Sequence, residues 1–118
     1  MKEFPEESEL QFFVGLRVGN IIFQPYSIDV TFDDNTYLVA EGILEHVDQN
    51  GVIERLEPKK GFGATTLHRI VDKLVILIVR KPWSLEFRFE NGHSLAVISI
   101  PGPIESGHIS HAGDMFVF

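Results

Sequence analysis

Residues 14–38, VGLRVGNIIFQPYSIDVTFDDNTYL, and residues 71–95, VDKLVILIVRKPWSLEFRFENGHSL, align without a gap at a constant offset of 57. Val14/Val71, Val18/Val75, Ile21/Ile78, Pro25/Pro82, Ser27/Ser84, Phe32/Phe89 and Leu38/Leu95 are identical. These are seven identities in 25 positions, where average composition gives about one or two by chance. The replacements Tyr26/Trp83, Ile28/Leu85, Asp29/Glu86, Val30/Phe87 and Asp33/Glu90 keep their chemistry. A duplicated supersecondary unit follows, because repeats reuse one packing solution. The duplication bears on architecture and leaves the chemistry open.

Within each copy the apolar residues alternate. Ile28, Val30 and Phe32 fall on one face and Ser27, Asp29, Thr31 and Asp33 on the other; Leu85, Phe87 and Phe89 oppose Ser84, Glu86, Arg88 and Glu90. Such alternation marks strands with one wet face, hence antiparallel sheet. The run Leu74–Val79 is continuously apolar, which predicts a central strand covered on both faces. Asn91-Gly92 predicts a type I′ hairpin turn, Asp34-Asn35 a weaker version of it, and Asn50-Gly51 a third turn. That third turn joins Ile43–Val47 to Val52–Leu56 in a hairpin inserted between the copies. Met115–Phe118 can return as a short closing strand.

Each copy is also expected to open with a short helix. Ser8 would cap one that carries Phe12 and Phe13. Thr65 or Thr66 would cap another through Leu67, Ile70, Val71 and Leu74, whose three- and four-residue spacing lays out one apolar face. The expected fold class is α+β, a strand-rich antiparallel sheet or half-open barrel built from two pseudo-symmetric helix-plus-three-strand repeats. The repeats cover about 8–44 and 64–101, the linker hairpin 43–57, and a C-terminal tail 102–118. At 118 residues the chain suits one domain, 1–118, since neither half could bury a core of its own.

Charge is unevenly distributed. Residues 1–57 hold three basic and twelve acidic side chains, and residues 58–118 hold seven and five, for a net charge of −7. An acidic chain without a basic stripe lacks the electrostatic term that drives nucleic-acid binding, so no nucleic acid is expected. No run is long and apolar enough to span a bilayer and the first ten residues show no secretory h-region, so no membrane is expected either. There is no cysteine, which removes disulfides and thiol chemistry and suits a cytoplasmic location.

Four constellations invite a chemical reading. His46–Glu57 resembles a calcium loop, but His46 stands where an oxygen ligand is needed and Pro58 obstructs the exit helix; a hairpin with an acidic wet face explains the same residues. In the tail, His108, His111 and Asp114 recur at three-residue steps and could converge on a divalent ion, although they match no zinc signature. Glu105, Ser106 and His108 offer hydrolase-type groups without a nucleophile elbow. Gly61-Phe62-Gly63 with Lys59 and Lys60 lacks both phosphate-loop patterns. No cofactor is implied by any of these.

Tyr26 and Trp83 follow a proline in each copy. They could form an interaction platform, against the plainer reading that both rings cap the core.

The repeated segments resemble short bacterial domains of unassigned function, which carry a G-x-x-V strand and an F-[DE]-[DN]-[NG]-x-x-L hairpin, often twice, with an E-S-x-x-I element near the end. The matching stretches are Gly15–Val18, Phe32–Leu38, Phe89–Leu95 and Glu105–Ile109, and the second copy departs with Asp72 in place of the glycine. The resemblance implies a fold and a bacterial source and carries over no catalytic residue.

The function expected is a non-catalytic protein-binding module with an immunity-type or escort role. Its partner would be a cationic protein, met by an acidic face of Asp29, Asp33, Asp34, Glu41 and Glu45. The alternative is a small metal- or ligand-binding enzyme with its site in the histidine-containing tail. A monomer or an edge-strand homodimer would serve either.

Overall fold

The computed structural model describes residues 3–118. Among them are a one-turn helix, α1 (Glu7–Leu10), and the strands β1 (Val18–Phe23), β2 (Ile28–Phe32), β3 (Tyr37–Ala40), β4 (Ile43–Val47) and β5 (Ile53–Leu56). They are followed by β6 (Val75–Lys81), β7 (Ser84–Phe89), β8 (Ser94–Ile98), β9 (Gly107–His111) and β10 (Asp114–Val117). The strands form two antiparallel five-stranded sheets, ordered β1-β2-β3-β9-β10 and β5-β4-β8-β7-β6. Each sheet is therefore a three-strand meander extended by a hairpin from the other half of the chain. The inserted hairpin β4–β5 joins β8, not β3, and the tail hairpin β9–β10 joins β3.

The sheets meet at a seam between the starts of β1 and β6, where Arg17 and Leu74 form an isolated antiparallel bridge. Hydrogen bonds there recur at a spacing of 57. Gly15 N–H donates to Val75 O and Asp72 N–H to Val18 O, both at 2.8 Å; Val18 N–H donates to Lys73 O and Val75 N–H to Leu16 O, at 3.1 and 2.9 Å. Both strands are bulged just past this point, between Val18 and Asn20 and between Val75 and Leu77.

The expected α+β class with two helical repeats is not what forms: the fold is β-rich. The first helix is confined to Glu7–Leu10, with Ser8 inside it and Glu6 at its cap, and Gln11–Phe13 is a 3-10 turn. The second is a 3-10 turn over Leu67–Ile70. An α-helix running on to Leu74 would consume the backbone groups of residues 72–75 that bond across the seam, so tertiary pairing overrides a weak local propensity.

Two further expectations are corrected. The apolar strand β6 lies at a sheet edge, with Ile76 and Leu77 exposed. A continuous apolar run measures the capacity for burial, whereas pairing order decides whether a strand is covered. The turns also exchange types. Asp34 and Asn35 both take positive φ, 58° and 53°, and Thr36 N–H bonds Asp33 O, which makes the type I′ turn. At Asn91-Gly92 only Gly92 is left-handed, as the last residue of the 89–92 turn that its N–H closes on Phe89 O, which is a type I turn with a glycine bulge.

The alternating residues predicted to face inward do so. Ile28, Val30 and Phe32 from one sheet and Leu85, Phe87 and Phe89 from the other are buried in one core cluster. Phe13 joins the two faces, with its ring 5.1 Å from Phe32 and 4.8 Å from Phe87, both edge-on. Burying each such side chain is worth about 2–3 kcal/mol. Arg80 fastens the amino-terminal segment to β6, donating to the carbonyls of Phe4 and Pro5 at 2.6 and 3.0 Å. No helix among the described residues is long and apolar enough to cross a membrane.

Candidate functional site

Because β4 and β9 are exchanged between the sheets, the chain crosses itself near Gly42 and Ser106. Glu41 and Gly42 N–H donate to Ser106 O at 2.8 and 3.2 Å, Ser106 N–H donates to Phe118 O at 2.8 Å, and Ile100 N–H donates to Ser106 Oγ at 2.9 Å. Ser106 is thus a buried structural clasp, which accounts for it without any nucleophilic role. Beside the crossing lies a groove of about 370 Å³, walled by Ile43, Ile100, Pro101, Pro103 and Ile104. Ile100 and Ile104 are 46% and 66% exposed. Water-facing isoleucines at a concave site mark a surface that gains by being covered.

The rim is charged. Glu41, Glu57, Glu105, Lys59 and Lys60 edge the groove. Lys60 Nζ is engaged by Glu57 at 2.8 Å and Arg55 Nε reaches the same carboxylate at 3.2 Å. Lys60 and then Arg55 hold the Glu57 carboxyl below its ordinary value. With Lys60 paired to Glu57, the rim also carries the carboxylates of Glu41 and Glu105 and the ammonium of Lys59.

A second cluster is buried in the sheet that contains β4 and β8. His46 and His93 are 1% and 4% exposed, with rings 5.1 Å apart and Nε2 of His46 2.8 Å from Nδ1 of His93. Nδ1 of His46 lies 3.3 Å from Glu54 Oε1. That oxygen accepts from Thr65 Oγ1 at 2.9 Å and from Thr66 N–H and Oγ1, each at 3.2 Å. Burial alone would raise the Glu54 carboxyl, but the bonds from Thr65, His46 and Thr66 outweigh it and hold the group below its ordinary value. Burial, then the neighbouring His46, pushes the His93 imidazole below its ordinary value.

The residues singled out from sequence are dispersed. Tyr26 and Trp83, 70% and 38% exposed, sit on the β1–β2 and β6–β7 turns. The strands that lead to them, β1 and β6, leave the Arg17–Leu74 bridge in opposite directions. Asp29 lies on β2, bonded to Ser27. Asp33 accepts from Arg17 N–H at 3.0 Å, and Asp34 occupies the left-handed turn position. Glu45 lies on the other sheet, so of the five acidic residues only Glu41 reaches the groove.

In the tail, His108 and His111 are three residues apart on one strand and therefore project from opposite faces. His111 stacks on Phe12 at 3.8 Å and its Nδ1 lies 2.6 Å from Thr36 Oγ1, while His108 stands edge-on to Tyr37 and Asp114 begins β10. Among the described residues no group of three or more His, Asp or Glu is arranged to hold a metal ion.

Sequence reasoning weighed His46 only as a position of a calcium-type loop and passed over its pairing with His93 and the isoleucine groove. A signal existed for His46, which shares the inward parity of Leu44 on β4. The groove had a weaker one: Ile100 and Ile104 flank a Pro-Gly-Pro loop, where apolar side chains have no strand face to hide in.

Fold and site together define a β-rich protein of two hairpin-exchanging antiparallel sheets with an apolar surface groove. The chain matches no protein-family model, and comparison with curated proteins and with solved structures gives no match.

Proposed function

We propose that this protein is a non-catalytic binding module that takes an extended, apolar segment with basic flanks from a partner protein into the groove between Ile43 and Ile104. The observation that carries the reading is the pair of exposed isoleucines, Ile100 and Ile104, in a concave apolar site. Specificity for a basic segment follows from Glu41 and Glu105 on the rim and from the net charge of −7, which would steer a cationic partner toward the surface. An immunity-type or escort role in the cytoplasm fits such an activity, since both require capture without chemistry.

The test uses two synthetic decapeptides of the same alternating Val/Ile content, one carrying lysines and the other glutamates, titrated into isotopically labelled protein. The lysine peptide is expected to shift resonances of residues 41–43, 57–60 and 100–106, more tightly at low salt, and Ile104→Asp to abolish the effect. No response to the lysine peptide, or equal responses to both, would overturn the reading.

A further inference from the structure

Two of the asparagines, Asn50 and Asn91, precede a glycine. Both pairs sit in hairpin turns of the same build. In the β4–β5 turn, Gly51 N–H donates to Asp48 O and Asp48 N–H to Val52 O, each at 3.0 Å; in the β7–β8 turn, Gly92 N–H donates to Phe89 O at 3.0 Å and Phe89 N–H to His93 O at 2.9 Å. Gly51 and Gly92 are left-handed alike, at φ +83° and +85°. What differs is the asparagine side chain. Asn91 Nδ2 donates to Arg69 O at 3.1 Å and its Oδ1 accepts from His93 N–H at 3.2 Å, whereas the carboxamide of Asn50 is exposed and bonds to nothing among the described residues. The surroundings differ as well. A Cβ at Gly51 would meet nothing within 4 Å, while one at Gly92 would come within 3.3 Å of Gln49 Cβ, so the second turn is backed by the first.

We propose that Asn50-Gly51 is a site of spontaneous covalent modification, converting through a cyclic imide to isoaspartate and aspartate in the folded protein, and that the fold protects Asn91-Gly92 from the same reaction. The Gly51 amide nitrogen, losing its proton to base, attacks Cγ of Asn50. The N–Cγ bond forms, the Cγ–Nδ2 bond breaks, and Nδ2 departs as ammonia with that proton. Water then adds to one of the two imide carbonyls. Opening at Cγ gives an ordinary aspartate; opening at the main-chain carbonyl leaves the chain running through Cβ and Cγ as isoaspartate. The sum is amide plus water to acid plus ammonia, with nothing oxidised or reduced. Glycine is the enabling neighbour because no Cβ shields its nitrogen. The reaction needs nothing from the groove, so its outcome does not bear on the binding role proposed above.

In both turns the attack requires a local opening, in which the glycine N–H leaves its carbonyl and the carboxamide swings over its own backbone. At Asn50 the side chain gives up only water. At Asn91 two side-chain bonds must break as well, and Gly92 must move against Gln49. Two bonds of ordinary net strength slow Asn91 by about tenfold or more. Isoaspartate inserts an extra main-chain atom into the turn and sets a carboxylate beside Asp48, whose Oδ1 accepts the N–H groups of Asn50 and Val52 at 2.8 and 3.0 Å. The turn that registers the edge strand β5 on β4 is thereby lengthened and gains a like charge.

The folded protein, held in mildly alkaline buffer at body temperature and sampled over weeks, is read by peptide mass mapping for exchange of amide for acid, with isoaspartate counted by enzymatic carboxyl methylation. A parallel sample in urea supplies the unfolded rates. In the folded protein Asn50 is expected to convert to isoaspartate and aspartate about tenfold or more faster than Asn91, and in urea the two rates should come close together. Asn50→Gln should remove the methyl-accepting product from the folded protein. Equal rates in the folded protein, faster conversion of Asn91, an Asn50 that stays intact while both react in urea, or a methyl-accepting product that persists in N50Q would overturn the proposal. So would a preference for Asn50 that is undiminished in urea, because the selectivity would then belong to the local sequence and not to the fold.

Discussion

Gly15 and Asp72 hold equivalent positions on the two strands of the seam between the sheets, 57 residues apart, and share the left-handed backbone region at φ +92° and +67°. Each uses its N–H to bond a carbonyl of the opposite strand. Glycine adopts this conformation freely, whereas a residue with a Cβ is strained by about 1–2 kcal/mol, somewhat less for aspartate. The carboxylate of Asp72 is far out in solvent and 3.8 Å from Arg17, a pair worth little. Asp72→Gly should therefore stabilise the protein by up to about 1 kcal/mol and Gly15→Ala destabilise it by about 1–2 kcal/mol, read from urea unfolding. A loss of stability in D72G would mean that its side chain matters to the seam.

Phe13 packs against both sheets where Phe32 and Phe87 themselves meet, their rings 5.7 Å apart. Its replacement by alanine removes contacts to Phe32 and Phe87 together and should cost about 3–5 kcal/mol. Tyr26→Ala, on an exposed turn, should cost less than about 0.5 kcal/mol. Comparable losses for the two would contradict the placement of the core.

Gly107 is set by close approach. A Cβ there would overlap the carbonyl oxygen of Val39 and the ring of Phe118, where β9 pairs with β3 and the chain end bonds back to Gly107. Gly107→Ala should destabilise by about 2–3 kcal/mol and disturb the exchanged hairpin first. Nuclear magnetic resonance of residues 107–118 reports it; a variant with native shifts there would show that the backbone can yield.

His111 and His108 should differ although both lie on β9. His111→Ala forfeits the bond to Thr36 and the stacking on Phe12, for about 1–2 kcal/mol, while His108→Ala should stay within about 0.5 kcal/mol. A stoichiometric divalent ion in the native mass spectrum, lost on replacing both, would restore the tail as a metal site.

Stability should fall with acid in two windows. The folded His93 has a pKa below its ordinary 6.5, so the unfolded chain binds that proton more readily. The associated stability is complete above about pH 6.5 and declines as pH drops from there through the folded value. Asp48, Glu54 and Glu57 have folded pKa values below 3.8, 4.5 and 4.5. Their contribution is present above those values and is lost as pH falls through the folded ones. Urea midpoints for wild type and H93Q should diverge in the upper window and run parallel in the lower. Parallel curves throughout would remove His93 from the account.

Local chemistry by itself determined the strand alternation at Ile28–Phe32 and Leu85–Phe89, the positions of the hairpins and the inward face of the core. These follow from side-chain period and from turn residues, which act over a few positions. The turn types were less legible, because whether Asn91 or Asn35 takes a left-handed conformation depends on how the flanking strands are registered. The exposure of β6, the shortening of the second helix and the assignment of β4–β5 to the far sheet were decided by tertiary structure alone. Each depends on which edge is free when two three-strand meanders pack at the Arg17–Leu74 seam. The buried histidine pair has the same origin: His46 and His93 are 47 residues apart, and only the pairing of β4 with β8 brings their rings together.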